Sequence, residues 1–212
     1  MEILDEKPKK PHHNMTILGS GCASLQLLYQ LSKQPFWKNT SVTLLSNDFG
    51  LHRSWCFWAK QPSAFQHLVT KSWSNVTFKS ADFTMTENIF PYQYHYVKGE
   101  HFFQFFDNKF LPNQTNIKVE RAQIQAVKKE DNQFELCSGE ANWATDRLFS
   151  SIEPIDFTQA RFKLWQHFKG WFVKTDSPVF DDSTVILMDF SIPQQDSVRF
   201  IYLLPFRRMK PL

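Results

Sequence analysis

A chain of 212 residues is long enough for one large domain or one and a half, and at 42% hydrophobic and 21% charged it can bury a core. Six glycines, eleven prolines and three cysteines exclude collagen-like, mucin-like and disulfide-framework classes, and a net charge of +3 is too mild to point to nucleic acid. The outlier is the aromatic content, 22 Phe and 7 Trp at a mean hydropathy of only −0.40, which suits either a Phe-rich core or the wall of a large apolar cavity.

No run of about 18 apolar residues occurs, so no transmembrane helix is expected. Residues 1–14 are charged and Pro-rich without an apolar stretch, so they read as a disordered tail and not as a secretory signal. The adjacent His12 and His13 then read as solvated. Cys22, Cys56 and Cys137 lie far apart, with no CxxC and no HExxH, so reduced thiols and no metal site are expected.

In chain order, Thr16-Ile17-Leu18 is a short apolar run that ends at Gly19. After Gly21 the apolar residues recur at helical spacing to Leu31, and Pro35 closes the pattern. Val42 to Leu45 is a second β-prone run, ending in Ser46-Asn47-Asp48. Strand, glycine turn, helix and strand make a βαβ unit of about 30 residues. Tyr92 to Val97 reads as a strand, and the spacing of Phe102, Phe103, Phe106 and Phe110 predicts a helix from Glu100 to Phe110, ended by Pro112. Ile117 to Val127, Gln133 to Cys137 and Ala141 to Trp143 read as strands, the last two joined by the turn Ser138-Gly139-Glu140. Further strands are expected at Leu148-Phe149, Phe168 to Lys174, Val185 to Met188 and Arg199 to Leu204.

Three constellations can carry chemistry. In Gly19-Ser20-Gly21-Cys22-Ala23-Ser24 the first glycine suits a tight turn and the second a close approach to a pyrophosphate. Ser24 stands in the third, small position, and the helix start offers free N–H groups to phosphate. The pattern points to a dinucleotide. At the end of the second strand, where a carboxylate usually meets the ribose, stands Ser46, with Asp48 two residues on. The second constellation is His52-Arg53-Ser54-Trp55-Cys56-Phe57-Trp58, either an aromatic loop plugged into the core or a wall around a flat ring or apolar chain. The third runs from Gln166 to Pro205. In it Asp189 directly follows an apolar strand, where a carboxyl can be desolvated and its pKa raised toward acid–base use, or can simply cap a turn.

Taken together, the blocks GSGCAS, HRSWCFW, QHFKGWFV, SPVFDD, LMDF and FIYLLPF, in this order from Met15 to Phe206, resemble the lycopene β-cyclase family of carotenoid-producing bacteria. The resemblance implies a mixed α/β fold in which an FAD-binding Rossmann-type region, 15–150, is interwoven with a β-rich substrate sheet that is incomplete over 151–212. It implies closure of the linear ends of lycopene into β-rings by acid catalysis, without net redox change but with reduced FAD. Gly19, Gly21, Ala23 and Ser24 fall on the family's flavin turn, and Ser46, with Asp48 nearby, on its ribose position. Arg53 falls near flavin, Trp55, Phe57 and Trp58 on the substrate wall, and Asp189 on a block suited to acid–base work. In the family a strand carrying a glutamate, the favoured acid, follows the LLPF block. That strand would begin just after Leu212, so the chain reads as a truncated cyclase, inactive alone. A substrate that lives in the bilayer implies docking on the cytoplasmic face of a membrane, with the Phe-rich helix from Glu100 to Phe110 as the expected contact. A flavin monooxygenase and a carotenoid- or lipid-binding module without flavin are the alternative readings.

Overall fold

The computed structural model describes residues 13–49, 53–152, 158–177 and 179–206. The chain begins with strand β1 (His13–Leu18), helix α1 (Cys22–Leu31) and strand β2 (Thr40–Ser46). Five short strands follow, β3 (Trp55–Ala59), β4 (Val69–Trp73), β5 (Asn75–Lys79), β6 (Thr84–Asn88) and β7 (Gln93–Val97), and then helix α2 (Gly99–Phe105). Next come β8 (Ile117–Arg121), β9 (Ala126–Glu130), β10 (Gln133–Cys137), β11 (Asn142–Thr145) and β12 (Arg147–Ser150). Strands β13 (Thr184–Asp189) and β14 (Ile201–Leu203) complete the order.

Contacts divide the chain into two units, each built from two separated segments: Met1–His52 with Phe103–Lys163, and Arg53–Phe102 with Leu164–Leu212. The sequence reading drew one boundary near residue 150. Strand pairing makes the division discontinuous, because β1 takes its neighbours from both ends of its unit.

In the first unit the strands run β12-β1-β2-β8, all parallel. Parallel strands need covered faces, and β1 shows it: Met15, Thr16, Ile17 and Leu18 are all buried. Helix α1 turns Leu25 and Leu28 inward, as the spacing predicts. The antiparallel meander β9-β10-β11 contributes Leu136 to a cluster with Leu18 and Leu45. Ile117 to Val127, expected as one strand, is two. The chain leaves the parallel sheet after Arg121, bonds Ala122 N–H to Ser46 O, and re-forms as β9 in the meander.

The second unit holds a mixed sheet, β14-β13-β5-β6, in which β13 and β5 are parallel, and an antiparallel sheet, β3-β7-β4. Trp73, Tyr94, Tyr96 and Val185 form its core, and the Trp73 indole N–H donates to Pro205 O at 3.0 Å.

Several expectations need correction. The expected helix to Phe110 ends as α2 at Phe105, and Phe106–Phe110 winds as a wider π turn before Leu111-Pro112. Its Phe102, Phe103, Phe106 and Phe110 are at most 7% exposed, which removes them as a membrane contact. Residues 168–174 form no strand among the described residues, because no neighbouring strand supplies their hydrogen bonds. The HRSWCFW segment is strand β3 from Trp55 onward and not a loop. Of the expected tail, Asn14 belongs to β1 with its neighbour, whereas residues 1–12 lie outside the described residues, as do His52 and residues 207–212.

Candidate functional site

The glycine turn sits where β1 hands over to α1. Gly19 has φ +102°, a left-handed conformation that favours glycine, and a Cβ there would lie 2.3 Å from Ser151 Oγ. Ser151, just beyond β12, donates its N–H to Leu18 O, and its hydroxyl accepts from Ser24 Oγ at 3.2 Å. The third, small position is therefore used: Ser24 is buried and ties α1 to the strand beside β1. Gly19 N–H donates to Leu45 O at 2.7 Å, which pins the turn to β2. Gly21 differs. It is exposed, precedes α1 with extended backbone, and a Cβ there would meet nothing within 4 Å. No side chain caps the helix, and its first turn holds no acidic residue. Cys22 accepts from Gln26 Nε2 at 3.0 Å, and burial pushes its thiol up, so it stays neutral. Ala23 is exposed in the same turn. The free N–H groups and positive dipole end of α1 thus open onto uncrowded space without a negative group among its first residues, an arrangement that fits a diphosphate.

The ribose position fits less well. Ser46 is buried and its hydroxyl donates to Asp48 O at 2.9 Å. Ser20 Oγ donates to the same carbonyl at 2.5 Å. Both hydroxyls close the bend after β2, so Ser46 is not a stand-in for a ribose-binding carboxylate. The Asp48 side chain is exposed beyond that bend.

Arg53, Trp55, Phe57 and Trp58 belong to the second unit. Alternation along β3 splits them, because successive side chains point to opposite faces. Phe57 pairs with His95 across the ladder, their rings 4.9 Å apart, and Trp55 lies 5.1 Å from Phe57 and 5.8 Å from Phe102. Trp58 turns to the other face with Tyr94, ring centroids 4.3 Å apart. On that face Tyr94 OH meets Tyr202 OH, which reaches Cys56 Sγ at 3.5 Å. Burial pushes the Tyr94 phenol up to about 12. Arg53 is exposed. The three wall residues therefore do not form one surface: Trp55 and Phe57 share a face, and Trp58 looks the opposite way.

His95 is a residue that the sequence reading missed. It is 3% exposed, its Nδ1 lies 2.7 Å from Ser72 Oγ, and burial lowers its pKa, keeping the imidazole neutral at pH 7. It lines a cavity of about 340 Å³ with Gln66, whose buried Oε1 has no partner among the described residues. No motif marked these positions; only the β3–β7 register brings His95 beneath Phe57.

Asp189 reverses its expectation. It ends β13 and accepts from Ser191 Oγ at 2.5 Å and Ser191 N–H at 2.9 Å, with Lys79 Nζ 3.7 Å away. The Ser191 hydroxyl, then its N–H, hold the carboxyl below its ordinary value. It caps the turn after β13 with its anion favoured, the opposite of the raised pKa expected there. Among the described residues no group of three or more metal-ligating side chains occurs.

Against this geometry stand the comparisons with known proteins. The fold is similar to the crystal structure of FqzB, with 8% identity, a TM-score of 0.50, and coverage of 66% of this chain and 36% of that one. Lower-scoring likenesses include p-nitrophenol 4-monooxygenase PnpA from Pseudomonas putida DLL-E4 (12% identity, TM-score 0.47, 65% and 39% covered). Another is halogenase PltM in complex with phloroglucinol and FAD (11% identity, TM-score 0.46, 66% and 34% covered). The chain spans little more than a third of the length of these structures. No curated protein sequence matches it. The family described as lycopene cyclase protein matches residues 14–212, nearly the whole sequence, with the glycine turn and the β3 aromatic segment inside the match. On that match, and with the mixed α/β architecture expected of it in place, the chain belongs to the lycopene cyclase family.

Proposed function

We propose that the chain is the flavin-holding and part of the substrate-walling portion of a lycopene cyclase. FAD would be held through its diphosphate at Gly19, Gly21, Ala23 and Ser24. The observation that carries this reading is the contrast between the two glycines: Gly19 is forced by packing, whereas Gly21 faces open space at an uncapped helix start. When bound, the reduced flavin would supply an electron-rich surface for a developing cation, with no net oxidation. The ribose would be met without a carboxylate at the end of β2, because Ser46 is occupied.

The substrate reading is a linear carotenoid such as lycopene. Protonation of its terminal double bond gives a carbocation, the chain closes on it, and loss of a proton leaves the β-ring. Aromatic faces stabilise such a cation, and excluding water prevents its capture. Trp55 and Phe57 on one face of β3, and Trp58 with Tyr94 on the other, are the rings this chain offers. Asp189, held as an anion, does not start the reaction. This chain alone is therefore expected to bind flavin without cyclising lycopene. The protein works at the cytoplasmic surface of a membrane in this reading; no helix among the described residues is long and apolar enough to cross one.

Flavin absorbance and fluorescence quenching on adding FAD to the purified chain test the first part. Gly21→Val has room to fold and is expected to abolish uptake; unchanged uptake overturns the diphosphate placement. Expression in lycopene-accumulating cells tests the second. Lycopene is expected to stay linear, and β-carotene would refute the inactivity.

A further inference from the structure

The cavity lined by His95 and Gln66 takes no part in the proposed function, yet its volume of about 340 Å³ has room for a small organic molecule. Its lining residues all fall between Ala59 and His95, so the second unit builds it alone. Among the described residues two buried side-chain polar atoms lack a hydrogen-bond partner, Trp55 Nε1 and Gln66 Oε1, and of these two residues Gln66 is the one that lines the cavity. A buried acceptor left unpaired lowers stability, and a donor brought by a ligand removes that penalty. The neighbouring amides are already engaged elsewhere. Asn88 bonds Asn75 and the Phe90 N–H, and Gln93 donates to Ser74 Oγ at 3.4 Å. Gln66 itself is fixed at the start of a 3-10 turn, its N–H bonded to Ser63 O. His95 adds a second group: Ser72 Oγ engages its Nδ1 at 2.7 Å, which leaves Nε2 as the ring nitrogen that a ligand can meet.

The lining selects the chemistry of the ligand. No Asp or Glu lines the cavity, so a cationic donor would enter without a counter-charge, and the donor must be neutral. Lys60 on the lining could hold an anion, but an acceptor-only anion would leave Gln66 Oε1 unpaired. Burial keeps the imidazole of His95 neutral as well. A hydroxyl is the smallest neutral group that can donate to Gln66 Oε1 and also accept from an imidazole N–H. The apolar part of the lining sets the body of the ligand: Phe90 is 85% and Tyr92 49% exposed, with Pro62 and Pro91 beside them in the lining, so ring faces stand open to a ring. We propose that this cavity binds a neutral molecule carrying a hydroxyl on a ring, the hydroxyl donating to Gln66 Oε1 and the ring resting against Phe90, Pro91 and Tyr92. The proposal goes beyond the flavin and carotenoid reading. Binding here needs neither flavin nor lycopene, so the two fail separately.

The test is titration of the purified chain with p-cresol and, separately, with its methyl ether, which keeps the ring and loses the O–H donor. Side-chain amide and imidazole NMR shifts report the binding. p-Cresol is expected to bind saturably, with shifts at Gln66 and His95, and the ether about tenfold more weakly, the usual worth of one buried neutral hydrogen bond. Gln66→Met keeps the side-chain length and removes the acceptor. It should weaken p-cresol about tenfold and leave the ether unchanged. Its urea midpoint should be no lower than that of the parent chain, because Oε1 gives up no hydrogen bond within the fold. Equal affinity for phenol and ether, p-cresol binding unchanged in Gln66→Met, or no saturable binding at all would each overturn the proposal. So would a lower urea midpoint for Gln66→Met, which would show that Oε1 already has a partner inside the protein.

Discussion

Two Phe-rich stretches of this protein have opposite environments. In 102–110, Phe102, Phe103, Phe106 and Phe110 are 0–7% exposed, whereas in 162–172 the five aromatic rings are 74–87% exposed. Their hydrophobicity and their spacing are similar; their surroundings are not. Spacing of three and four residues gathers the first set on one side of a helical turn, where Tyr29 receives Phe105, Phe106 and Phe110 at centroid distances of 5.5–6.4 Å. The second set, at 162, 165, 168, 171 and 172, is also spaced by three and four, yet among the described residues it forms neither helix nor strand. Burial is decided by whether a partner face exists, not by how apolar a segment is. The sharpest test removes one ring from each. Phe106→Ala should cost about 3–5 kcal/mol, the usual range for emptying a buried aromatic site. Phe168→Ala should stay within about 0.5 kcal/mol. Urea unfolding measures both, and equal losses would erase the distinction.

The two glycines of the turn extend the same logic from side chain to backbone. Gly19→Ala meets Ser151 Oγ at 2.3 Å in a left-handed conformation and should cost about 1–3 kcal/mol. Gly21→Ala meets nothing and should cost less than about 1 kcal/mol, alanine being the poorer residue at a helix start. Thermal unfolding of the two variants, side by side, checks the order; a reversal would mean that the turn is not braced by Ser151.

Much of this was legible in the sequence where the signal is local. The βαβ unit is announced by two apolar runs around a glycine turn and a helical period, and β1, α1 and β2 follow it, β1 starting three residues before the apolar run at Thr16 and α1 and β2 within two residues of the expected bounds. The hairpin β10–β11 is announced by Ser138-Gly139-Glu140, whose Ser138 N–H bonds Ala141 O. What failed is non-local. Strands β5 and β6 pair along their whole length, yet Thr84 to Asn88 is exposed throughout and carries no apolar alternation to read. Ser151 braces Gly19 from 132 positions away in sequence, and nothing near either residue says so. The desolvated reading of Asp189 failed for a local reason: Ser191, two residues on, was a turn partner in plain sight.

His95 sharpens the comparison of buried and exposed groups through pH. Burial holds its folded pKa below the ordinary 6.5. The unfolded chain therefore takes up the proton first as pH falls through 6.5, and stability falls with it until the folded imidazole also titrates. His95→Gln should flatten that part of the stability–pH curve, measured by urea midpoints at a series of pH values. An unchanged slope would place the titration on another group.

Asp189 carries the smallest expected effect and the most informative sign. Hydrogen bonds from Ser191 and the nearby Lys79 hold its folded pKa below 3.8, so its contribution is complete above that pH and is lost only as pH falls below it. Asn at this position keeps an acceptor for Ser191 and loses the charge. Asp189→Asn should therefore be slightly less stable at neutral pH, with the deficit vanishing in acid. A carboxyl raised toward proton donation would behave the other way, because its charged form would be penalised at neutral pH and the Asn variant would gain stability there. The sign of one stability difference at pH 7, compared with its value in acid, thus separates a turn-capping anion from a poised acid without any catalytic assay.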